Sequence, residues 1–289
     1  MKIGNEIKRK IIQIAAFGYS NPFLTNFAGG RLYKGQWKQF CNPGMNCYSC
    51  PAASLACPVG AMQAVNGSAK FSISFYVTGI LLAIGLISGR AVCGFLCPFG
   101  LIQELLHRIP SPKFHLPKQV TYLKYALLVI FVLVLPAAAA NAAGVGDPAF
   151  CKYICPAGTL EGGIPMLISH PELRRLIGGV FGLKAVILAV TIVGCVLICR
   201  FFCKAMCPLG AVYGLCNKVS LYRVNINKDN CIGCGVCSRE CPMDVDPVHF
   251  PDSAECIRCG KCADVCPANA LSLGFRIRER EGDGQWHTT

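Results

Sequence analysis

Cys231, Cys234, Cys237 and Cys241 are followed by Pro242, and Cys256, Cys259, Cys262 and Cys266 by Pro267. Two C-x2-C-x2-C-x3-C-P runs in tandem are the ligand spacing of a two-cluster [4Fe–4S] ferredoxin, whose chemistry is one-electron transfer. Three thiolates on a tight loop reach three irons of one cubane, and the fourth turns toward the neighbouring cluster. The spacing therefore predicts one cluster on Cys231, Cys234, Cys237 and Cys266, and a second on Cys241, Cys256, Cys259 and Cys262. Gly235 and Gly260 permit close backbone approach to sulfur, and Pro242 and Pro267 stop the chain continuing as helix. Paired C-x2-C units also occur at zinc sites, but this cadence of eight cysteines points to iron–sulfur chemistry.

The other cysteines form a second system. Arg90-Ala-Val-Cys93-Gly-Phe-Leu-Cys97-Pro98-Phe-Gly100 recurs 110 residues later as Arg200-Phe-Phe-Cys203-Lys-Ala-Met-Cys207-Pro208-Leu-Gly210. Cys93, Cys97, Cys203 and Cys207 supply the thiolates of a third cubane, each pair at i and i+4 on one helical face. Cys41, Cys47, Cys50 and Cys57 lie on one loop, and a further C-x3-C-P stands at Cys151 and Cys155. A fourth cluster is expected on the one-loop set, with Cys151 or Cys155 in place of Cys41 as the alternative. A disulfide or free dithiol at Cys151/Cys155 is the remaining reading. Cys195 and Cys199 extend the i, i+4 series toward the membrane but read better as small packing residues, as does Cys216, which aligns with Leu106.

These residues need elements to carry them. The chain is 53% hydrophobic, its mean hydropathy is +0.47, and 15% of residues are charged, well on the apolar side for a soluble protein. Twenty-one cysteines, an odd number at ligand-like spacings, exclude a secreted disulfide framework and place the ferredoxin end in a reducing compartment. Against the ~20 apolar residues a spanning helix needs, four spans are predicted, at 11–30, 71–89, 122–140 and 183–202. Lys8-Arg9-Lys10 before an apolar stretch also suits a signal peptide, but no small-x-small cleavage site follows. Basic residues at the N-terminus and at Arg90, Arg108, Lys113 and Lys118 put both termini and the 90–121 loop in the cytoplasm by the positive-inside rule. The 30–70 loop, with Arg31, Lys34, Lys38 and Lys70, then falls outside. The net charge of +13 is topology and attraction to lipid headgroups, not a nucleic-acid footprint. All five histidines lie outside the spans, so no haem is expected, and no G-x-G-x-x-G turn suggests a nicotinamide cofactor.

The chain resembles the membrane-anchored iron–sulfur proteins that join C-x3-C-P motifs beside transmembrane helices to a C-terminal double-cubane ferredoxin. These are the NapH-type quinol dehydrogenase subunits, the MauN-type proteins and the membrane core of NosR-type proteins. The resemblance spans nearly the whole chain and is strongest at Cys93/Cys97, Cys203/Cys207 and the ferredoxin cysteines. It implies electron exchange between a quinone pool and a redox partner. NosR-type proteins carry a flavin domain before the membrane part; here ten residues precede the first predicted span, so no flavin domain is expected.

The expected architecture is mainly α: a membrane iron–sulfur domain at 1–224 with four spans and short interfacial helices, an α+β ferredoxin domain at 225–274, and a charged tail at 275–289. Electrons would run between a cytoplasmic donor or acceptor protein, the clusters, and a quinone or an extracytoplasmic redox protein. A hydrocarbon core of ~30 Å is too thick for one hop. A transmembrane path therefore needs a quinone, sunken clusters or an extra carrier. An assembly or metal-reduction factor similar to CcoG-type proteins is the second hypothesis. An extracytoplasmic His/Met cluster would favour it, and none is visible in the sequence.

Overall fold

The computed structural model describes residues 4–66, 72–138 and 147–275. Phe71, residues 139–140 of the third predicted span and the predicted tail beyond Phe275 lie outside the described residues.

Helix α1 (Asn5–Ser20) opens the fold and corrects the first predicted span. It stops at Asn21-Pro22, where proline offers no N–H to continue the ladder, and only a short turn, Asn26–Gly29, follows. Three of its polar residues point inward: Arg9, Gln13 and Ser20 are buried, whereas Ile7, Ile11, Ile12 and Ile14 are exposed. At its start, the backbone N–H groups of Asn5 and Glu6 donate to Asp264, a carboxylate placed at the positive end of the helix dipole.

Three helices, α2 (Pro58–Asn66), α4 (Ala91–Phe95) and α5 (Pro98–Leu106), are short elements around the cysteines. Between them, α3 (Ser72–Ser88) is apolar over Tyr76–Ser88. Two helices are long and apolar enough to cross a bilayer: α6 (Lys118–Ala138) and α9 (Gly179–Leu197). The middle of α6, Leu128–Val134, is wound as a π-helix ahead of Pro136, a loosening suited to a residue that cannot donate to the ladder. The fourth predicted span ends early. The chain leaves the helix at Ile198, and Arg200 adopts a left-handed conformation (φ 53°) before the second repeat begins. Among the described residues, then, two full-length apolar helices stand where four were expected.

Between α6 and α9 lie α7 (Phe150–Ile154) and α8 (residues 158–169). After α9 come α10 (Phe201–Ala205) and α11 (Pro208–Cys216), which repeat α4 and α5. Phe99 and Phe202 from the two repeats meet edge to face, 5.1 Å between centroids, at the centre of the core.

The C-terminal part pairs β1 (Tyr222–Ile226) with β2 (Leu271–Phe275) antiparallel, Tyr222 opposite Phe275 and Ile226 opposite Leu271. Between the strands sit α12 (Val236–Arg239) and α13 (Lys261–Asp264). This unit is seated firmly on the helical part. Ile257 is buried against Gly94, where a β-carbon would come within 2.8 Å of the Ile257 carbonyl oxygen. Asn217 Nδ2 donates to the carbonyls of Ser253 and Cys256, both at 2.8 Å. Arg258, fully buried, donates to Ser220 Oγ (2.5 Å) and to the Asn217 (2.8 Å) and Tyr222 carbonyls.

Candidate iron–sulfur sites

The eight C-terminal cysteines line two small cavities. One is bounded by Cys231, Cys234, Cys237 and Cys266, the other by Cys241, Cys256, Cys259 and Cys262. Each run thus sends its fourth cysteine to the other's cavity. The first cavity faces outward: Cys234 and Ile232 are exposed, and the Ala270 N–H donates to Cys266 Sγ at 3.4 Å. The second lies against the helical part, because Cys256 adjoins Ile257.

Cys93, Cys97, Cys203 and Cys207 come together in the helical part, all buried to 5–6% exposure. Burial is the main cause that pushes the Cys93 thiol up to about 11, with the neighbouring Cys203 adding to it and Arg90 and Arg200 opposing it. The two halves of the repeat clasp each other. Arg90 donates to the Cys203 carbonyl and Arg200 to the Cys93 carbonyl, both at 2.6 Å. Both arginines are fully buried, and each has a carboxylate: Glu255 for Arg90 (2.7 Å) and Glu104 for Arg200 (2.5 Å). Lys124 joins the first pair; Arg9 and Lys10 from α1 join the second. Burial would raise Glu104, but Arg200, Arg9 and Lys10 outweigh it and hold the carboxyl well below the usual range.

The Cys-Pro-x-Gly units share one local geometry. Cysteine caps the helix, proline takes the first position, where its missing N–H costs nothing, and the glycine N–H returns to sulfur. That bond measures 3.3 Å from Gly210 to Cys207 and 3.4 Å from Gly158 to Cys155. Gly100 and Gly60 occupy the matching sequence positions after Cys97 and Cys57. At 100 and 210 a β-carbon would sit tightly, 3.2 Å from the Cys93 carbonyl and 3.1 Å from Arg90.

Sequence reading missed the residue six positions after each such cysteine: Gln63, Gln103, Glu161 and Tyr213. Gln103 Nε2 donates to Cys203 Sγ at 3.1 Å and its Oε1 accepts from the Cys203 N–H at 3.4 Å. Cys195 donates to the same Oε1 at 3.6 Å, and Cys216 packs on Gly85, so both are structural neighbours of the site. Tyr213 donates to the Pro43 carbonyl at 2.9 Å. The signal was present in the fixed spacing.

In the remaining set the structure regroups the cysteines. Cys47, Cys57, Cys151 and Cys155 converge: a methyl placed at Gly158 would touch both Cys47 Sγ and Cys155 Sγ at 3.8 Å, and one at Gly60 would lie 3.9 Å from Cys151 Sγ and from Cys57 Cβ. The Cys41 backbone pairs with Ala56 in an isolated bridge, and Cys50 Sγ faces Asn21 Oδ1 at 4.0 Å. All cysteines are free, Cys151 and Cys155 included. The loop is not remote from the repeat: Cys97 Sγ stands 4.0 Å from the Met45 carbonyl, and Gly44 packs on Cys97 Cα. The two cysteine groups, expected on opposite sides of a bilayer, are in contact here.

The residues suit cubanes. Among the described residues, no three Cys, His, Asp or Glu side chains converge as a single metal ion requires. Cubane ligands bind four different irons and so stand further apart. Buried Arg90 also keeps an unpartnered Nε while its side chain bears on the Cys93 thiol, as beside an acidic sulfur-rich group.

Residues 69–117, 126–169 and 180–228 match the 4Fe-4S binding domain family Fer4_5, and 224–245 and 250–272 match the 4Fe-4S binding domain family Fer4. The methylamine utilization ferredoxin-type protein MauN of Paracoccus denitrificans is 28% identical over 158 residues, covering 54% of this chain and 50% of its own. The regulatory protein NosR of Pseudomonas aeruginosa is 27% identical over 165 residues, 55% of this chain and 21% of its own. The chain belongs to the MauN/NosR-type ferredoxin-like [4Fe–4S] proteins. This MauN/NosR-type chain is also similar to the putative electron transport protein YccM of Escherichia coli, 25% identical over 196 residues, 63% of this chain and 48% of that one. Several [4Fe–4S] sites and iron–sulfur electron transfer follow from these matches. Each Fer4_5 stretch contains one C-x3-C-P: Cys93/Cys97, Cys151/Cys155 and Cys203/Cys207. No solved structure matches this MauN/NosR-type chain.

Proposed function

We propose that the protein is a membrane-bound electron relay between a soluble redox protein, which meets the exposed Cys234 end of the ferredoxin unit, and a quinone or a carrier on the other side of the bilayer. When bound, each [4Fe–4S] group supplies a one-electron carrier. Cys231, Cys234, Cys237 and Cys266 would hold the outermost group, Cys241, Cys256, Cys259 and Cys262 the next, and Cys93, Cys97, Cys203 and Cys207 the third. The observation that carries this reading is the seat of Ile257 on Gly94, which brings the Cys256 loop into direct contact with the helix holding Cys93. Arg90 and Arg200 offset the negative charge of the thiolates in a water-poor interior.

Membrane residence is supported by α6 and α9 and by the apolar side chains they leave exposed, among them Val129, Ile130, Val186, Val190 and Val193. A quinone head group has a candidate place at the start of α6. There a cavity of about 480 Å³ is lined by Tyr122, Tyr125, Met243 and Phe250 with Lys204 and Asp244, a size and lining suited to a small amphipathic ligand.

Gly94→Val tests the relay. The anaerobically purified variant should retain the ferredoxin-type and repeat-type cluster signals, while rapid-mixing reduction by a soluble low-potential donor reaches the repeat-type cluster at least tenfold more slowly. Unchanged kinetics would remove the proposed path.

A further inference from the structure

We infer that Cys47, Cys57, Cys151 and Cys155 form a further [4Fe–4S] site, a second edition of the one built by the Arg90/Arg200 repeat. This inference rests on reading the chain as an iron–sulfur electron carrier, and it replaces the one-loop ligand set expected from sequence.

The two groups of four are assembled by the same device. In each, one Cys-Pro-x-Gly unit contributes its capping cysteine, Cys97 or Cys57, and a glutamine six residues later. In each, that glutamine crosses to the first cysteine of a partner C-x3-C-P. Gln103 reaches Cys203 Sγ at 3.1 Å, and Gln63 reaches Cys151 Sγ at 3.2 Å. The glutamine oxygen fixes the partner backbone as well: Gln103 Oε1 accepts from the Cys203 N–H at 3.4 Å, and Gln63 Oε1 from the Phe150 N–H at 2.8 Å. Both glutamines are buried, Gln63 to 0% and Gln103 to 1% exposure. A buried amide committed to a thiol is a poor packing choice, because sulfur is a weak acceptor until it is a metal-bound thiolate.

The partner units then supply two thiols each, Cys203 with Cys207 and Cys151 with Cys155. A cation rests on a carbonyl of the first cysteine in both: Arg90 on Cys203 at 2.6 Å, Lys184 on Cys151 at 3.1 Å. The fourth position is Cys93 in one group and Cys47 in the other. Cys47 is brought in by its own N–H, which donates at 2.8 Å to Glu161, the residue six positions after Cys155. Cys41 and Cys50 take no part in this pattern. Because Met45 lies two residues from Cys47, a chain distance of at most ~7 Å, and its carbonyl is 4.0 Å from Cys97 Sγ, the two groups are neighbours. Electrons can pass between them one at a time without a quinone.

The test uses the full-length protein, purified anaerobically in detergent, with iron counted and each cluster followed by EPR-monitored redox titration. Wild type should hold about 16 iron atoms. Cys151→Ala and Cys155→Ala should each lose about 4 of them and the same EPR signal, with the ferredoxin and repeat signals intact as the control for folding. Cys41→Ala and Cys50→Ala should lose neither. Gln63→Leu should keep its iron but move the potential of that one signal downward, since a hydrogen bond to sulfur is lost. Iron near about 12 in wild type, losses in the Cys41 and Cys50 variants instead, or an unmoved signal in Gln63→Leu would each overturn the inference. Failure of the relay itself would show differently, as absent or unconnected ferredoxin and repeat signals.

Discussion

Gln103 shows what a single side chain adds once the ligands are placed. Its amide stands between Cys195, Cys203 Sγ and the Cys203 N–H, so it fixes one thiol and lowers the electron density on it. Gln103→Leu is expected to retain the repeat-type cluster, shift its potential downward in a redox titration, and cost about 1–3 kcal/mol in thermal or chemical unfolding through the unpaired backbone group. The cysteines were legible from spacing alone because thiol ligands are rare residues in fixed cadence. The glutamines were not, because Gln is common on helices. Only the shared offset, from Cys57 to Gln63 and from Cys97 to Gln103, distinguishes them. The convergence of the outer cysteines was hidden for a related reason. Proximity along one loop favoured Cys41 and Cys50, whereas residues far apart in sequence, Cys47 and Cys151, are the ones the fold brings together.

Helix α1 makes the corresponding point for elements. Average hydropathy reports how apolar a segment is, not which side faces inward, and α1 turns Arg9 and Gln13 into the protein and its isoleucines out. What the average hid is an ionic anchor: Arg9, Lys10 and Arg200 all converge on Glu104. Glu104→Gln leaves three cations without their carboxylate and is expected to cost about 3–5 kcal/mol, seen as a lower unfolding temperature and earlier loss of the repeat-type cluster signal. The pH dependence follows from the depressed carboxyl. Its contribution is complete above the ordinary value of about 4.3 and is lost as pH falls through the lower folded value. Wild type should therefore lose stability on the acid side where Glu104→Gln, already without the anchor, shows a flatter acid limb in pH-dependent unfolding.

For the whole molecule, the division into a helical part and a ferredoxin unit was readable from composition and cysteine runs, including the exchange of fourth cysteines between the two C-terminal cavities. The number of long apolar helices was not, since Ser20-Asn21-Pro22 breaks the first predicted segment and the described helix of the second is apolar only over Tyr76–Ser88. The exposed apolar sides of α3, α6 and α9 present Leu82, Leu86, Leu133, Val186 and Val190 outward, a pattern that water penalises and lipid does not. Cell fractions washed with alkaline carbonate should accordingly keep the full-length protein in the membrane pellet, with release only on adding detergent; recovery in the wash would count against membrane residence.

The order of the cysteine groups along the chain also dictates a schedule. The group of Cys47, Cys57, Cys151 and Cys155 is complete once Cys155 has been made, the repeat group only at Cys207, and the two ferredoxin cavities at Cys262 and Cys266. A nascent chain therefore completes its cysteine sets in the order outer loop group, repeat group, ferredoxin cavities. The exposed Cys234 end, where a soluble redox protein would first make contact, is the last to be closed. A half-synthesised chain lacks every ligand of both ferredoxin cavities.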